Sequence, residues 1–412
     1  MIARPSPALT RARDALAGQL SAERLEVLER LIALGLPTPR DDAFRYTQFR
    51  LLDRRDLCPA LPVPFGGALP SDWPLGEHRL VYVDGHLDRD ASHWPSSVQI
   101  NTVPSSTTAL GTAATDRLRL LNAAMGDGQT QIVIPRHSQA TLDVVAIARA
   151  GGAYPALSIR VEAGAELQLI EYHTGDDDAD SVTSIALDLA LENGAIVNHT
   201  WVQVSGAKAV ILGDVRATVG ADATYRHRSA ALGGQLSRLD LAVRLAAPGA
   251  STQLSGLFLA DGSREHHLRT MVQHAAPNGS SEQRYRGVAN DRGRGSYDGK
   301  IIVDVGANGT NSAQSSKNLL LSSESTIETR PQLEINADAV KCSHGATTGS
   351  LDERMMFYLL SRGLDRETAR AVLTYAFLGD VLVDFAPNTR AFVESRALGR
   401  LPAADLIRGF VA

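Results

Sequence analysis

Cysteine is almost missing from this sequence: Cys58 and Cys342 are the two present in 412 residues. Two thiols form no disulfide framework and cannot by themselves complete a four-cysteine metal or cluster site. Aromatic residues are scarce too, at 5%, while hydrophobic residues reach 44%, so the core must be built mainly from small aliphatics. Neither charge dominates: 41 Lys+Arg face 46 Asp+Glu, a net charge of -5, which argues against nucleic acid as a partner. No apolar run is long enough to cross a membrane as a helix. The first twenty residues, MIARPSPALTRARDALAGQL, lack an apolar h-region and carry Asp14 in their basic run, which reads as a cytoplasmic protein with no membrane segment. Nucleotide-binding loops are missing as well. The segment from Gly293 to Ile301 has Arg294 where a phosphate loop needs Gly, and Ile301 where it needs Ser or Thr. No G-x-S-x-G, H-E-x-x-H or dinucleotide fingerprint occurs.

What is present falls into three zones, 1–78, 79–345 and 346–412. In the first, Leu16, Leu20, Val27, Leu28, Leu31 and Leu34 recur at helical spacing until Gly35-Leu36-Pro37 ends the pattern. A stretch containing Pro59, Pro62, Pro64, Pro70 and Pro74 then reads as a linker or irregular cap. The middle zone consists of short β-branched runs such as RLVYVDG, TQIVIP and GKIIVDVG, with no helical pattern inside it.

That middle zone repeats. A strand followed by Gly and a small residue occurs at Gly164, Gly194, Gly220, Gly249, Gly279 and Gly306, with Asn336 standing in at the last junction, at intervals of 26–30 residues. A steady period of this size marks stacked units that cannot bury their apolar faces alone, and Gly or Asn at each junction suits a turn with positive φ. The fold expected is mainly β: a parallel β-helix core flanked by N-terminal and C-terminal α-helical regions. An antiparallel sandwich is the alternative, although its turn signals usually come every 8–12 residues.

The last zone opens with Ser350-Leu351-Asp352-Glu353, which reads as a capping box with Ser350 as N-cap. A helix then runs to Gly363, and a second begins at Asp365. On the second, Ala369, Val372, Leu373, Ala376 and Phe377 share one face. Such a stripe packs over the end of the β-domain, docks a partner, or does both.

One compact constellation could carry chemistry, Lys341-Cys342-Ser343-His344. Alternate strand residues point the same way, so Cys342 and His344 share a face with Cα atoms roughly 6.5 Å apart, within reach of one soft or borderline metal ion. Lys341 would lower the thiol pKa if it lay nearby. Two ligands leave the sphere incomplete, so a metal would need ligands from another chain. A buried Cys beside a structural His fits the same spacing. Glu265-His266-His267 with His274 is a poor metal cluster: His266 and His267 point to opposite faces, and His274 is about 27 Å further along an extended strand. Polar β-surface is the expectation there, and packing roles for Trp73, Trp94 and Trp201.

The run from Ser322 to Leu364, SSESTIETRPQLEINADAVKCSHGATTGSLDERMMFYLLSRGL, resembles the signature of the SufB/SufD family of iron–sulfur cluster assembly scaffolds. Its KCSHGAT-G form, with Gly345 and Gly349, is similar to the SufD branch. Further matches are HHLRTMVQHAAPNGSSEQRYRGV, GKIIVDVGANGTNSAQSSKNLLLS and LNAAMGDG, and GLPTPRDDAFRYT resembles the family's Trp-Lys-Tyr-Thr element, with Phe44 and Arg45 in place of Trp-Lys. The resemblance implies a β-helix between helical regions and a scaffold without enzymatic turnover. It implies a complex with a SufB-like paralogue, paired through the β-helices, and a SufC-like ATPase; a homodimer of the isolated chain stays open. By the same resemblance, Cys342 and His344 lie near the pairing interface and take part in cluster assembly or iron entry. The C-terminal helices dock the ATPase, with Phe357, Ala369, Val372, Leu373, Ala376 and Phe377 as the candidate contacts. No cofactor is expected to stay on the isolated chain, while iron or a nascent Fe–S cluster in the complex stays open.

A second class of function competes, because β-helices also host polysaccharide lyases and hydrolases. Such enzymes want paired carboxylates or a calcium groove together with aromatic sugar platforms. This chain offers few aromatics and one acidic cluster, Asp176-Asp177-Asp178.

Overall fold

The computed structural model describes residues 6–104 and 116–401. Its strands begin with β1 (Arg79–Val83), β2 (His86–His93), β3 (Gln99–Pro104), β4 (Gly128–Ile134), β5 (Gln139–Ala148), β6 (Gly152–Ala153) and β7 (Ala156–Val161). They continue as β8 (Glu166–Gly175), β9 (Val182–Leu191), β10 (Ile196–Gln203), β11 (Val210–Val219), β12 (Thr224–Ala231), β13 (Leu236–Leu245) and β14 (Ser251–Ala260). The last are β15 (Glu265–His274), β16 (Ser280–Ala289), β17 (Arg294–Val303), β18 (Asn311–Leu320), β19 (Thr326–Ile335) and β20 (Lys341–Gly349).

From β7 onward successive strands alternate between two sheets. One runs β2-β1-β5-β8-β10-β12-β14-β16-β18-β20 and the other β19-β17-β15-β13-β11-β9-β7-β4-β3. From β5 onward every pairing between neighbouring coils is parallel and in register, so the molecule is a parallel β-solenoid. Period-2 alternation gives each strand one inward and one outward set. Inward Leu169, Val197, Tyr225, Leu254, Leu187, Val215 and Leu241 fill the lumen of the early coils. Toward the C-terminal end the inward residues turn polar: Ser281, Gln283, Ser312 and Gln314 are all buried.

The coils turn at a stacked corner where one residue per coil has positive φ: His137, Gly164, Gly194, Asp222, Gly249, Asn278 and Gly309. Each donates its N–H to a carbonyl of the next coil at 2.8–3.3 Å. The glycine spacing therefore locates the corner. At four junctions the corner residue is not the one expected: Asp222 and Asn278 replace Gly220 and Gly279, since Asp and Asn tolerate the left-handed region, Gly309 replaces Gly306, and Ala339 rather than Asn336 has positive φ at the last.

Helices cover the outer faces. α1 (Pro7–Ala15), α2 (Ala22–Leu34) and α3 (Arg117–Met125) pack on the outside of the second sheet. α3 lies inside the zone expected to hold strands alone. It forms because the run LRLLNAAM, buried along its length, is rich in helix formers and packs against β9, β11 and α2. Nearby, Arg238 stacks 4.5 Å over the ring of Phe44 and donates to Thr47 Oγ1 at 2.7 Å, which straps the Phe-Arg-Tyr-Thr segment to β13.

At the other end of the chain come α4 (Glu353–Ser361), α5 (Arg366–Leu382) and α6 (Pro387–Leu398). α5 lies across the outer face of the first sheet against β14 and β16, with α6 packed beside it, and among the described residues no element covers the coil end. Trp73 in the proline-rich stretch is wedged beside Tyr172 and Phe392, with ring centroids 5.3 and 5.5 Å away, so that stretch is a cap tied down by α6. The N-cap of α4 is Asp352, which accepts the Arg354 N–H at 2.7 Å, and not Ser350. Ser350 comes directly after the last residue of β20, too early to reach the first free N–H groups of the helix.

Candidate functional site

Within the described residues, β20 and β19 are the terminal strands of their sheets at the C-terminal end of the stack. Cys342 pairs with Ser312 and His344 with Gln314. Ser312 and Gln314 are buried in the lumen, so Cys342 and His344 share the inward face, as their spacing predicts. No further coil stacks on them among the described residues. Cys342 is half-buried against Leu333, Ala337 and Val340 around a small cluster of Ile301, Val303 and Ala307. His344 is exposed. The two side chains line a rim whose other wall is the inward set of β19, with Leu333 and Ile335.

Burial pushes the Cys342 thiol above its ordinary pKa. Lys341 does not counter this, since it occupies the opposite strand face and is exposed. The expected lowering by Lys341 is thus overturned by strand alternation. Among the described residues no group of three or more His, Cys, Asp or Glu side chains is placed to hold a metal ion. Cys342 and His344 can supply two donors and no more.

Beneath the rim two hydrogen-bonded columns descend into the lumen. Under Cys342, Ser312 Oγ meets Ser281 Oγ at 2.7 Å, and His274 Nε2 meets Ser281 Oγ at 2.9 Å. Under His344, Gln314 Nε2 donates to Tyr297 Oη at 2.9 Å, and Tyr297 Oη donates to Gln283 Oε1 at 3.1 Å. Thr270 Oγ1 also donates to Gln283 Oε1, at 2.7 Å.

The sequence-predicted docking residues divide. Phe357 on α4 is 73% exposed, beside exposed Met355 and Tyr358. Ala369 on α5 is fully buried, Val372, Leu373 and Phe377 are half-buried, and Ala376 is exposed. The packed face of α5 is Ala371, Thr374, Leu378, Val381 and Leu382, rotated from the expected stripe. Thr374 can be buried because its Oγ1 donates to the Arg370 carbonyl at 2.8 Å. Arg284 with Asp384, at 2.8 Å, and Arg286 with Asp380 pin the helix to β16.

His266, His267 and His274 are buried, which corrects the expectation of polar surface. His266 and His274 point into the lumen, and His267 outward beneath the N-terminal layer, with Nδ1 2.8 Å from Ser296 Oγ. Burial lowers His266 to about 3 and His274 to about 4. The Gly293–Ile301 segment lies mostly in β17. Its glycines accommodate neighbours: a Cβ at Gly295 would collide with Phe258, and one at Gly293 with the Ala260 carbonyl.

Sequence reasoning missed a buried cluster in the middle of the lumen. Glu171 Oε1 is 2.6 Å from His199 Nε2, His199 Nδ1 is 2.8 Å from Tyr225 Oη, and the His199 and His227 rings are 4.7 Å apart. Burial favours the neutral Glu171 acid, yet the imidazoles of His173 and His199 beside it hold its pKa well below the carboxylate range. The signal available was register: His199 and His227 occupy equivalent places in successive coils.

Fold and rim together define the class: a parallel β-solenoid with helices on its faces and a Cys-x-His pair at an uncovered coil end. The family model for the SUF system FeS cluster assembly SufBD core domain matches residues 144–377, and the chain belongs to that family. It is 24% identical over 384 residues to the iron-sulfur cluster assembly protein SufD of Escherichia coli strain K12, covering 88% of each chain. It is 27% identical over 294 residues to the SufBD family protein Rv1462 of Mycobacterium tuberculosis, covering 68% of this chain and 73% of that one. Against the chloroplastic protein ABCI7 of Arabidopsis thaliana it is 30% identical over 236 residues, 57% of this chain and half of the plant protein.

Proposed function

We propose that this chain is a non-enzymatic scaffold subunit that supports iron entry or cluster formation at a site shared with a SufB-like paralogue, in a cytoplasmic complex with a SufC-like ATPase. The observation that carries the reading is the rim. Cys342 and His344 are brought to one face at the one coil end where β19 and β20 still have free edges, among the described residues. Two donors from this chain are too few for iron, which as a cluster metal is commonly held by four protein ligands, so the partner must supply the remainder. Iron and sulfide are cargo here, assembled at the junction and passed on. The exposed apolar side chains of α4 suit the ATPase contact, which has to lie away from the paired coil ends.

The test is reconstitution of the tagged chain with candidate partners, followed by cluster formation read by absorbance and iron content. His344→Ala is expected to leave folding and partner binding nearly intact and to lower cluster yield. Cys342→Ala should do less harm if the partner provides the main thiolates. The single wild-type chain should hold little iron. Full yield from the His344→Ala complex, or stoichiometric iron on the lone chain, would overturn the reading.

A further inference from the structure

Gln314 stands directly beneath His344. The two residues are Cα partners on adjacent parallel strands, about 4.8 Å apart and on the same inward face. Gln314 is 3% exposed. Its amide nitrogen donates to Tyr297 Oη at 2.9 Å, while its carbonyl oxygen Oε1 is buried and has no hydrogen-bond partner. A buried amide carbonyl without a donor is costly and uncommon in a folded protein.

In the structure this amide is oriented by the groups below it. Thr270 donates to Gln283 Oε1, and the Tyr297 hydroxyl donates to the same oxygen. With its proton on Gln283 Oε1, and Thr270 Oγ1 3.1 Å away, Tyr297 Oη accepts from the Gln314 amide, whose NH2 is thereby used and whose Oε1 is left as the free acceptor. Room for that amide exists because position 299 is glycine: a Cβ there would run into the Gln314 amide nitrogen and Tyr297 Oη. An acceptor is therefore built and held below His344, whose ring has no hydrogen-bond partner among those described and stands exposed above it.

We infer that Gln314 is a positioning residue for His344: its Oε1 accepts the N–H of one imidazole nitrogen, fixes the ring tautomer, and turns the other nitrogen, with its lone pair, toward the rim. A histidine that binds a metal through one nitrogen usually donates from the other to an oxygen of this kind. The inference rests on the reading of Cys342 and His344 as the shared site, and it assigns the donor that the orphaned oxygen lacks. It also gives the Thr270–Gln283–Tyr297 column a role, since that column sets the direction of the amide.

The test is ¹⁵N NMR of the full chain with labelled histidine at pH 8.5, the His344 signals being identified by their loss in His344→Ala. In the wild type one ring tautomer should dominate, with its N–H shifted as for a hydrogen bond to a carbonyl. Gln314→Leu should bring the tautomer ratio to that of a solvent-exposed histidine, and Gln314→Glu, which keeps an acceptor oxygen, should restore the bias. In the reconstituted complex, Gln314→Leu should lower cluster yield severalfold and Gln314→Glu should recover it. A solvent-like tautomer ratio in the wild type, or one unchanged in a folded Gln314→Leu variant, overturns the inference whatever the cluster assay gives. A preserved tautomer effect with full cluster yield from His344→Ala would instead overturn the shared-site reading and leave the hydrogen bond standing. Should Gln314→Leu fail to fold, Tyr297→Phe serves in its place: it frees the amide to turn and should weaken the tautomer bias.

Discussion

Glu171 and His199, 28 residues apart in sequence, meet at 2.6 Å in the sealed lumen because β8 and β10 pair in parallel register. Both are essentially inaccessible to water. A buried hydrogen-bonded pair of this kind is costly to halve, since the remaining partner keeps its desolvation penalty. Glu171→Leu is expected to lower stability by about 3–5 kcal/mol in urea unfolding. Glu171→Gln, which keeps an acceptor for a His199 N–H, should cost clearly less. Equal losses from the two variants would show that shape, and not the hydrogen bond, is what matters there.

The buried histidines set the acid limit of the fold. Burial lowers His227 well below its ordinary value, His266 to about 3 and His274 to about 4. In the unfolded chain each titrates near 6.5. Between about pH 6.5 and 4 the unfolded chain therefore binds protons that the folded chain does not, and stability falls as pH drops through that window. Each such histidine should cost about 2 kcal/mol at pH 5 relative to neutral pH. Glu171 acts lower on the scale: its depressed pKa adds stability above about pH 4.5 that is lost as pH falls further. Urea midpoints at pH 7.5, 6 and 5 should decline in that order, and His266→Gln should shrink the decline. A flat series would mean that the lumen histidines take up protons in the folded state.

The C-terminal helices should separate docking from packing. Phe357, 73% exposed on α4, can accept a charge without harm to the fold. Phe357→Asp should weaken association with the proposed ATPase partner at least tenfold, as loss of an aromatic anchor does, and leave the melting temperature nearly unchanged. Ala369 and Ala371 are sealed against neighbouring residues. Ala369→Asp should therefore lower stability by several kcal/mol through a charge that cannot reach water. An intact melt for Ala369→Asp would mean that α5 lifts off its sheet easily.

Much of this architecture could be read from the residues. The 26–30-residue glycine period foretold a coil stack, and the spacing of Cys342 and His344 foretold their common face. What stayed hidden depends on contacts between coils. Nothing local tells that the Cys342 face is the inner one, or that Gln314 lies under His344, because a register between strands 30 residues apart is set by the whole stack. The buried face of α5 shares Ala369 with the expected stripe and otherwise differs from it, because Thr374 reads as polar yet satisfies its hydroxyl within the helix and so can be buried. α3 was missed because its short run sits among strand signals, and its stability comes from packing on β9, β11 and α2.

The uncovered coil end should be the adhesive part of the molecule. In every earlier coil the inward residues are covered by the next one; Ile335 pairs with buried Val303, yet it is itself 43% exposed. Leu333 and Cys342 share this position at the end of the lumen. Beside them β19 and β20 present backbone edges that are unpaired among the described residues, and such edges invite another strand. A partner that continued the stack would cover the inward residues and satisfy the edges together. Ile335→Lys places a charge on the inward face of the last coil, where it reaches water in the free chain and is trapped once a partner closes over it. The substitution should leave the melting temperature of the isolated chain within a few degrees of wild type and weaken association with the proposed paralogue at least tenfold, the scale expected for a buried unpaired charge. Size-exclusion chromatography with light scattering on the mixed chains reads both the mixed complex and any homodimer. Unchanged assembly by the Ile335→Lys chain would place the partner elsewhere, and with it the missing ligands for Cys342 and His344.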